Sequence, residues 1–321
     1  MTGRTLYTKR FRVMGGWGIL RFVDDRGRDM AEAAAARAVA EAERIERKYS
    51  RYLPGSIVSR INRDAGRTPV AVDAETVDLV REAIRLAEET GGAFDPTVGI
   101  LRRAWNFREG RIPSPEEVGE LLPRVDYRQI SVRNGTVFLR REGMELDLGG
   151  VGKEYAVDCA AARLRDEGVG CAVVNLSGDL RTLGSRGDGR PWNLGVMDPR
   201  NKGKCRFAVR LLGEGGVASS GDYERFFMKD GVRYHHLLDA RTGWPARGVA
   251  SSTVVAPDAF HAGLAATAAF LLGAEEGLRH LENLPGIEGA LITEDGRVLS
   301  TSGMDRLSDL PGSLYASYPT L

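Results

Sequence analysis

Cys159, Cys171 and Cys205 are the only three cysteines in 321 residues, and they are far apart. An odd, scattered set supplies neither a disulfide framework nor the paired spacing of a zinc site. Long apolar runs are missing too. No stretch approaches 18 consecutive apolar residues, so no segment reads as a transmembrane helix. Neither sign of charge is in excess: 45 basic residues face 44 acidic ones. That balance removes the electrostatic reason to expect nucleic acid or an anionic membrane as a partner. The stretch from Met1 to Met14 lacks the apolar core of a secretory signal. As written the chain reads as cytoplasmic; a signal upstream of Met1 would make it periplasmic or a membrane-anchored lipoprotein. The phosphate-loop spacing, Gly-x-x-x-x-Gly-Lys followed by Ser or Thr, is absent as well.

What is present is a core and many turns: 42% of residues are hydrophobic and 40 are glycine. The length allows about two domains, yet single α+β units of this size exist. A strand and turn around Met14-Gly15-Gly16 lead into an alanine-rich helix from Asp29 to Lys48. Tyr49 to Asn62 reads as a loop. Asp73 is an N-cap, Val77, Val80, Ile84 and Ala87 form an apolar stripe, and Gly91-Gly92 ends that helix. Asn134-Gly135 and Asp230-Gly231 mark hairpins, the second joining Val217–Met228 to Val232–Leu238. Helices follow from Lys153 to Glu167 and from Asp258 to Leu272. Hairpins mixed with long helices, without regular βαβ alternation, predict an α+β fold of mixed antiparallel sheets and packed helices.

Four segments are richer in Gly, Asp and Thr than packing requires. Gly91-Gly92-Ala93-Phe94-Asp95-Pro96-Thr97-Val98-Gly99 lets backbone approach a ligand, although its spacing alone favours a helix end and turn. Leu146-Asp147-Leu148-Gly149-Gly150-Val151-Gly152-Lys153 runs a strand into a glycine loop at a helix start. There, free N–H groups favour phosphate, and an unliganded turn fits equally well. In Tyr234-His235-His236-Leu237-Leu238-Asp239, a strand would turn His235 and His236 to opposite faces, and a His with an Asp could deprotonate a hydroxyl. The plainer reading is a strand histidine before an Asp-x-x-Thr-Gly turn. Gly263 and Thr267 share one face of the last helix, where a glycine costs about 1 kcal/mol against alanine.

In order and wording, these segments resemble the ApbE family. The series also includes Ser50-Arg51-Tyr52-Leu53-Pro54-Gly55-Ser56 and Ser219-Ser220-Gly221-Asp222-Tyr223, and the Ala-Thr-Ala helix with its closing Leu-Gly is the sixth element. The resemblance is strongest from Met14 to Met304 and implies one ApbE-like, T-fold-like domain over residues 1–321. It also implies a transferase that cleaves FAD with Mg²⁺, releases AMP and esterifies FMN to a threonine or serine in an exposed loop of an acceptor protein. By position, Met14, Tyr52, Ala93, Phe94, Asp95, Asp147 and Lys153 match FAD-binding residues. The Gly150 carbonyl and Thr267 match metal ligands, while His236 and Asp239 match the family's His-x-x-Asp, with His236 activating the acceptor hydroxyl.

Three positions depart from the family pattern. Gly263 stands where the family has an aspartate ligand, Glu154 where it usually has glycine, and Ala240 where it usually has proline. Mg²⁺ wants oxygen ligands and usually at least one carboxylate. Either another acid substitutes, with Glu154 and Asp258 as candidates, or the protein holds FAD without efficient transfer. The alternatives are therefore an FAD carrier, or an FAD pyrophosphatase with water as acceptor.

Overall fold

The computed structural model describes residues 6–309. Its centre is an eight-stranded sheet whose spatial order follows the chain: Leu6–Val13, Gly16–Val23, Ala172–Leu176, Asp179–Leu183, Gly215–Gly221, Val249–Ala256, Glu288–Thr293 and Val298–Ser300. Every neighbouring pair is antiparallel. The fold is thus α+β, as the mixture of hairpins and helices predicts.

Both faces of this sheet are covered, and the period-2 alternation of its strands decides what goes where. Val174, Ala218, Val254 and Leu291 point into the larger core, which the helices Arg28–Tyr49, Gly152–Asp166 and Ala259–Leu272 complete. Their neighbours Val173, Val217, Val255 and Ile292 point to the other face. A two-stranded ribbon, Trp192–Met197 with Cys205–Leu211, covers them with Leu194, Val196, Phe207 and Val209. On the helical side, Ala31, Ala34, Ala35, Ala38 and Ala42 are all buried. Small side chains let the first long helix approach Ala156, Ala160 and Ala161 of the second, because interaxial distance follows side-chain size. A third, aromatic cluster around Trp105, Tyr234 and Trp244 lies under the second hairpin.

Two segments differ from the sequence expectation. Ile57–Arg63 is a helix capped by the Ser56 side chain, not loop. The strand expected from Val217 to Met228 breaks in two. Gly221 ends the part in the main sheet, and the Phe226–Lys229/Val232–His235 hairpin stands apart from it. The break has a cause: buried Asp222 turns its carboxylate onto Arg200, with both oxygens bonded at 2.7 and 2.8 Å.

Candidate functional site

A cleft of about 1610 Å³ opens beside the main sheet, walled by the Met14–Trp17 turn, the Asp147–Lys153 loop, the ribbon and the His236–Leu238 segment. Eight of the residues singled out by resemblance line it: Met14, Tyr52, Phe94, Asp147, Gly150, Lys153, His236 and Thr267. Met14 sits at the tip of the first hairpin with φ 53°, beside Gly15 at φ 74°. A left-handed pair suits a two-residue hairpin turn, and a non-glycine residue held there is strained. At the mouth, Tyr52 is 70% exposed and Trp17 54%. The Arg12 guanidinium lies 3.8 Å over the Trp17 ring.

The glycine loop is organised by Asp147. Its Oδ1 accepts from Gly149 N at 2.8 Å, and its Oδ2 accepts from Arg51 at 3.2 Å and Arg102 at 3.1 Å. Burial alone would raise this carboxyl, but Arg102 and Arg51 outweigh it and hold the group below its ordinary range. Gly150 has a steric reason to be glycine: a Cβ there would lie 3.1 Å from Phe94 Cε2. The Phe94 ring therefore packs onto bare backbone at the point where the loop faces the cleft.

At the start of the Gly152–Asp166 helix, charged groups meet. Lys153 Nζ is ion-paired with Asp179, and Glu154 Oε1 lies 3.8 Å from it. Burial, then the Asp179 carboxylate, push the Glu154 carboxyl up. Burial opposes the charge on Lys153, but Asp179 and Glu154 raise it overall, so it is a cation at any physiological pH. Thr267 Oγ1 is 3.0 Å from Ser220 Oγ. Asp258 is elsewhere: its carboxylate caps the Ala259–Leu272 helix, accepting from His261 N at 2.8 Å and touching the His261 ring. It is not part of the cleft lining, so it is not the substitute acid.

The two adjacent histidines do face opposite ways. His235 is buried, with Nε2 2.8 Å from the Ala246 carbonyl and its ring edge-on to Phe270. His236 faces the cleft, its Nδ1 buried without a partner. Burial, then the cations Arg102 and Arg225, depress its pKa to about 3. It is neutral at pH 7, far below the ordinary histidine value. Asp239, expected to orient this ring, instead holds Arg241, accepting from its Nη2 at 2.7 Å and Nε at 2.9 Å.

Ala93 and Asp95 lie behind the cleft wall. Ala93 is fully buried, and its carbonyl accepts from Ala240 N at 3.0 Å, joining the two glycine-rich turns. Asp95 is buried and accepts from Thr97 N at 2.7 Å, Thr97 Oγ1 at 2.6 Å and Tyr127 N at 2.8 Å. Burial raises its carboxyl despite these bonds. Asp95→Ala orphans three donors, so we expect it to cost about 2–4 kcal/mol of stability. Chemical unfolding would measure this. A variant of wild-type stability that binds flavin poorly would reverse this view and make Asp95 a ligand contact.

Sequence reasoning missed Asp179, Arg102 and Arg225. Asp179 carried a usable signal, because Ser177-Gly178 is a turn between two apolar runs, and the structure gives both a left-handed φ. The two arginines carried none, being isolated cations in a chain rich in them.

Cations along the walls, a glycine loop at a helix start and aromatic rings at the mouth make this an α+β protein with a cleft suited to a dinucleotide. The chain belongs to the ApbE family, whose model it matches from residue 14 to residue 291. It is 34% identical over 316 residues to the FAD:protein FMN transferase of Treponema pallidum, across 93% of this chain and 87% of the relative. To the enzyme of that name from Vibrio cholerae it is 32% identical over 241 residues, across 74% of this chain and 72% of the relative. Among solved structures, the ApbE protein of Thermotoga maritima superposes with a TM-score of 0.85 at 35% identity, covering 94% of this chain and 99% of that one.

Proposed function

We propose that this protein transfers FMN from FAD to a threonine or serine hydroxyl of another protein, releasing AMP. The observation that carries the reading is the shared cleft. A neutral histidine, with a buried Nδ1 that has no partner, lines the same space as the glycine loop and Lys153. At about 1610 Å³, the space exceeds the roughly 300–1,000 Å³ of ordinary small-molecule pockets and leaves room for a peptide beside a dinucleotide.

In this reading the acceptor oxygen attacks the phosphorus on the FMN side of the pyrophosphate. The bridging P–O bond breaks and AMP leaves with that oxygen. His236 takes the hydroxyl proton. Lys153, Arg102 and Arg225 lie where they can balance the phosphate charge, and the enclosing walls keep water from competing as acceptor. Bringing anionic phosphates beside Arg102 and Arg225 offsets the cationic part of what depresses His236, while burial, the largest cause, remains.

The donor set also fits Mg²⁺. The Gly150 carbonyl and Thr267 hydroxyl can be neutral ligands, and a buried carboxyl oxygen of Glu154 has no partner. When bound, the ion would neutralise phosphate charge.

Incubating the protein with FAD, Mg²⁺ and a threonine-bearing peptide tests the proposal. Peptide carrying covalent FMN, with AMP released, is expected. Free FMN with AMP would make it a hydrolase, and intact bound FAD a carrier. The phosphate-binding role of the loop predicts, separately, that FAD binds more tightly than riboflavin in a fluorescence titration. Equal affinities would remove that role.

A further inference from the structure

Gly263 lies in the middle of the Ala259–Leu272 helix, buried among alanine, leucine and phenylalanine. Its φ is not in the left-handed region, so no backbone conformation requires glycine there. Space does. A Cβ at 263 would lie 2.2 Å from Glu154 Cγ and 2.9 Å from Glu154 Cδ, on the neighbouring helix. The Glu154 side chain fills the volume that any residue larger than glycine would occupy. That arrangement forgoes about 1 kcal/mol of helix propensity and encloses a carboxyl group.

The enclosed group is only partly satisfied by the protein: it lies against the Asp179 carboxylate, which raises it, and Lys153 reaches only one of its oxygens. Glu154 is 6% exposed and lines the cleft, and its Oε2 has no hydrogen-bond donor. The nearest cation, Lys153, is 3.8 Å from the other oxygen and is committed to Asp179. One turn beyond Gly263, on the same helix face, Thr267 presents its hydroxyl to the same cleft. A buried carboxylate oxygen without a donor, on a residue that lines the same cleft as Thr267, has the chemistry of a divalent-cation ligand.

We propose that Glu154 supplies the carboxylate ligand to the divalent cation of this cleft, and that Gly263 is glycine to admit it. The assignment rests on the transferase reading, since it takes the cation together with the FAD pyrophosphate.

Two readouts on the full-length protein test it without turnover: the Mg²⁺ dependence of FAD binding by flavin fluorescence, and Mn²⁺ occupancy by electron paramagnetic resonance with FAD present. Glu154→Gln keeps the shape and removes the charge. It should raise the half-saturating metal concentration by about 10–100-fold, while FAD affinity in EDTA is not reduced. Gly263→Asp alone should lower the melting temperature, because the new side chain collides with Glu154, and should not tighten the metal. The double exchange Glu154→Gly/Gly263→Asp should recover the metal response by returning the carboxylate from the other helix. Wild-type metal affinity in Glu154→Gln overturns the assignment. So does a Gly263→Asp variant that keeps its melting temperature and binds metal more tightly. A wild type that binds no FAD, with or without metal, overturns the transferase reading itself, and the ligand assignment falls with it.

Discussion

His236→Ala should reduce FMN transfer by about 10²–10⁴-fold, the usual reach of a general base, while FAD affinity stays nearly unchanged. The residue lines the cleft, and its buried Nδ1 bonds no other residue. Its pH behaviour gives a sharper test than the size of the loss. In the free protein, burial and then Arg102 and Arg225 depress the ring to about 3. The acid limb of kcat/KM, which reports the free enzyme, should therefore lie well below the ordinary histidine value of about 6.5. The acid limb of kcat reports the complex, in which bound phosphates offset both arginines, so it should lie at higher pH. Steady-state rates from pH 4 to 9 would show the kcat limb, with kcat/KM staying flat down to pH 4. Coincident limbs, or a His236→Ala variant that transfers at the wild-type rate, would remove the residue from the chemistry. His235→Ala is no neutral control, since that ring packs on Phe270 and bonds the Ala246 carbonyl.

Local features with one physical solution were legible in the sequence. Asn134-Gly135 and Asp230-Gly231 turn hairpins because all four residues take left-handed φ, which few other residue pairs tolerate. Asp73 caps its helix, accepting from Thr76 N. The apolar stripe of Ala74–Glu89 was read slightly rotated. Leu79, Ala83 and Leu86 are buried there, whereas Val77 and Ile84 are only half-buried. A single-helix pattern fixes which residues are apolar, but the packing partner chooses the centre of the face.

The cleft residues named from the sequence were assigned to a ligand only through family resemblance, because a turn that binds a ligand and a turn that merely ends a helix share one composition. Asp95 and Asp147 illustrate this: both are aspartates in glycine-rich turns, yet one is consumed by backbone donors and the other faces the cleft. The contact between Glu154 and Gly263 was illegible for a different reason. It joins two helices distant in sequence, and only their packing shows that one side chain uses the other's space.

Lys153→Met should be the most damaging single change at the base of the cleft, because the lysine answers two acids at once. Its Nζ pairs with Asp179 and lies 3.8 Å from Glu154. Removing one partner of a buried pair costs about 3–5 kcal/mol. The Lys153 side chain is 30% exposed, so solvent screening reduces the expected loss to about 2–3 kcal/mol near pH 8. The loss should depend on pH in a definite direction. Burial, with Asp179 beside it, already raises the Glu154 carboxyl in the folded protein. A raised folded carboxyl binds more protons than its unfolded counterpart between the two pKa values, so its contribution to stability falls as pH rises through that window. Without the lysine the carboxyl rises further and the window extends upward. The variant should therefore be close to wild type in stability at pH 5 and clearly weaker at pH 8, as read by urea unfolding at both. FAD binding should weaken too, by about 10–100-fold, the worth of one hydrogen bond to a charged group. Asp179 occupies one of the three ammonium donors, and the cleft-facing remainder is what the phosphates lose. An equal loss of stability at both pH values would show that the lysine acts through packing of its stem, and that the two carboxylates never needed its charge.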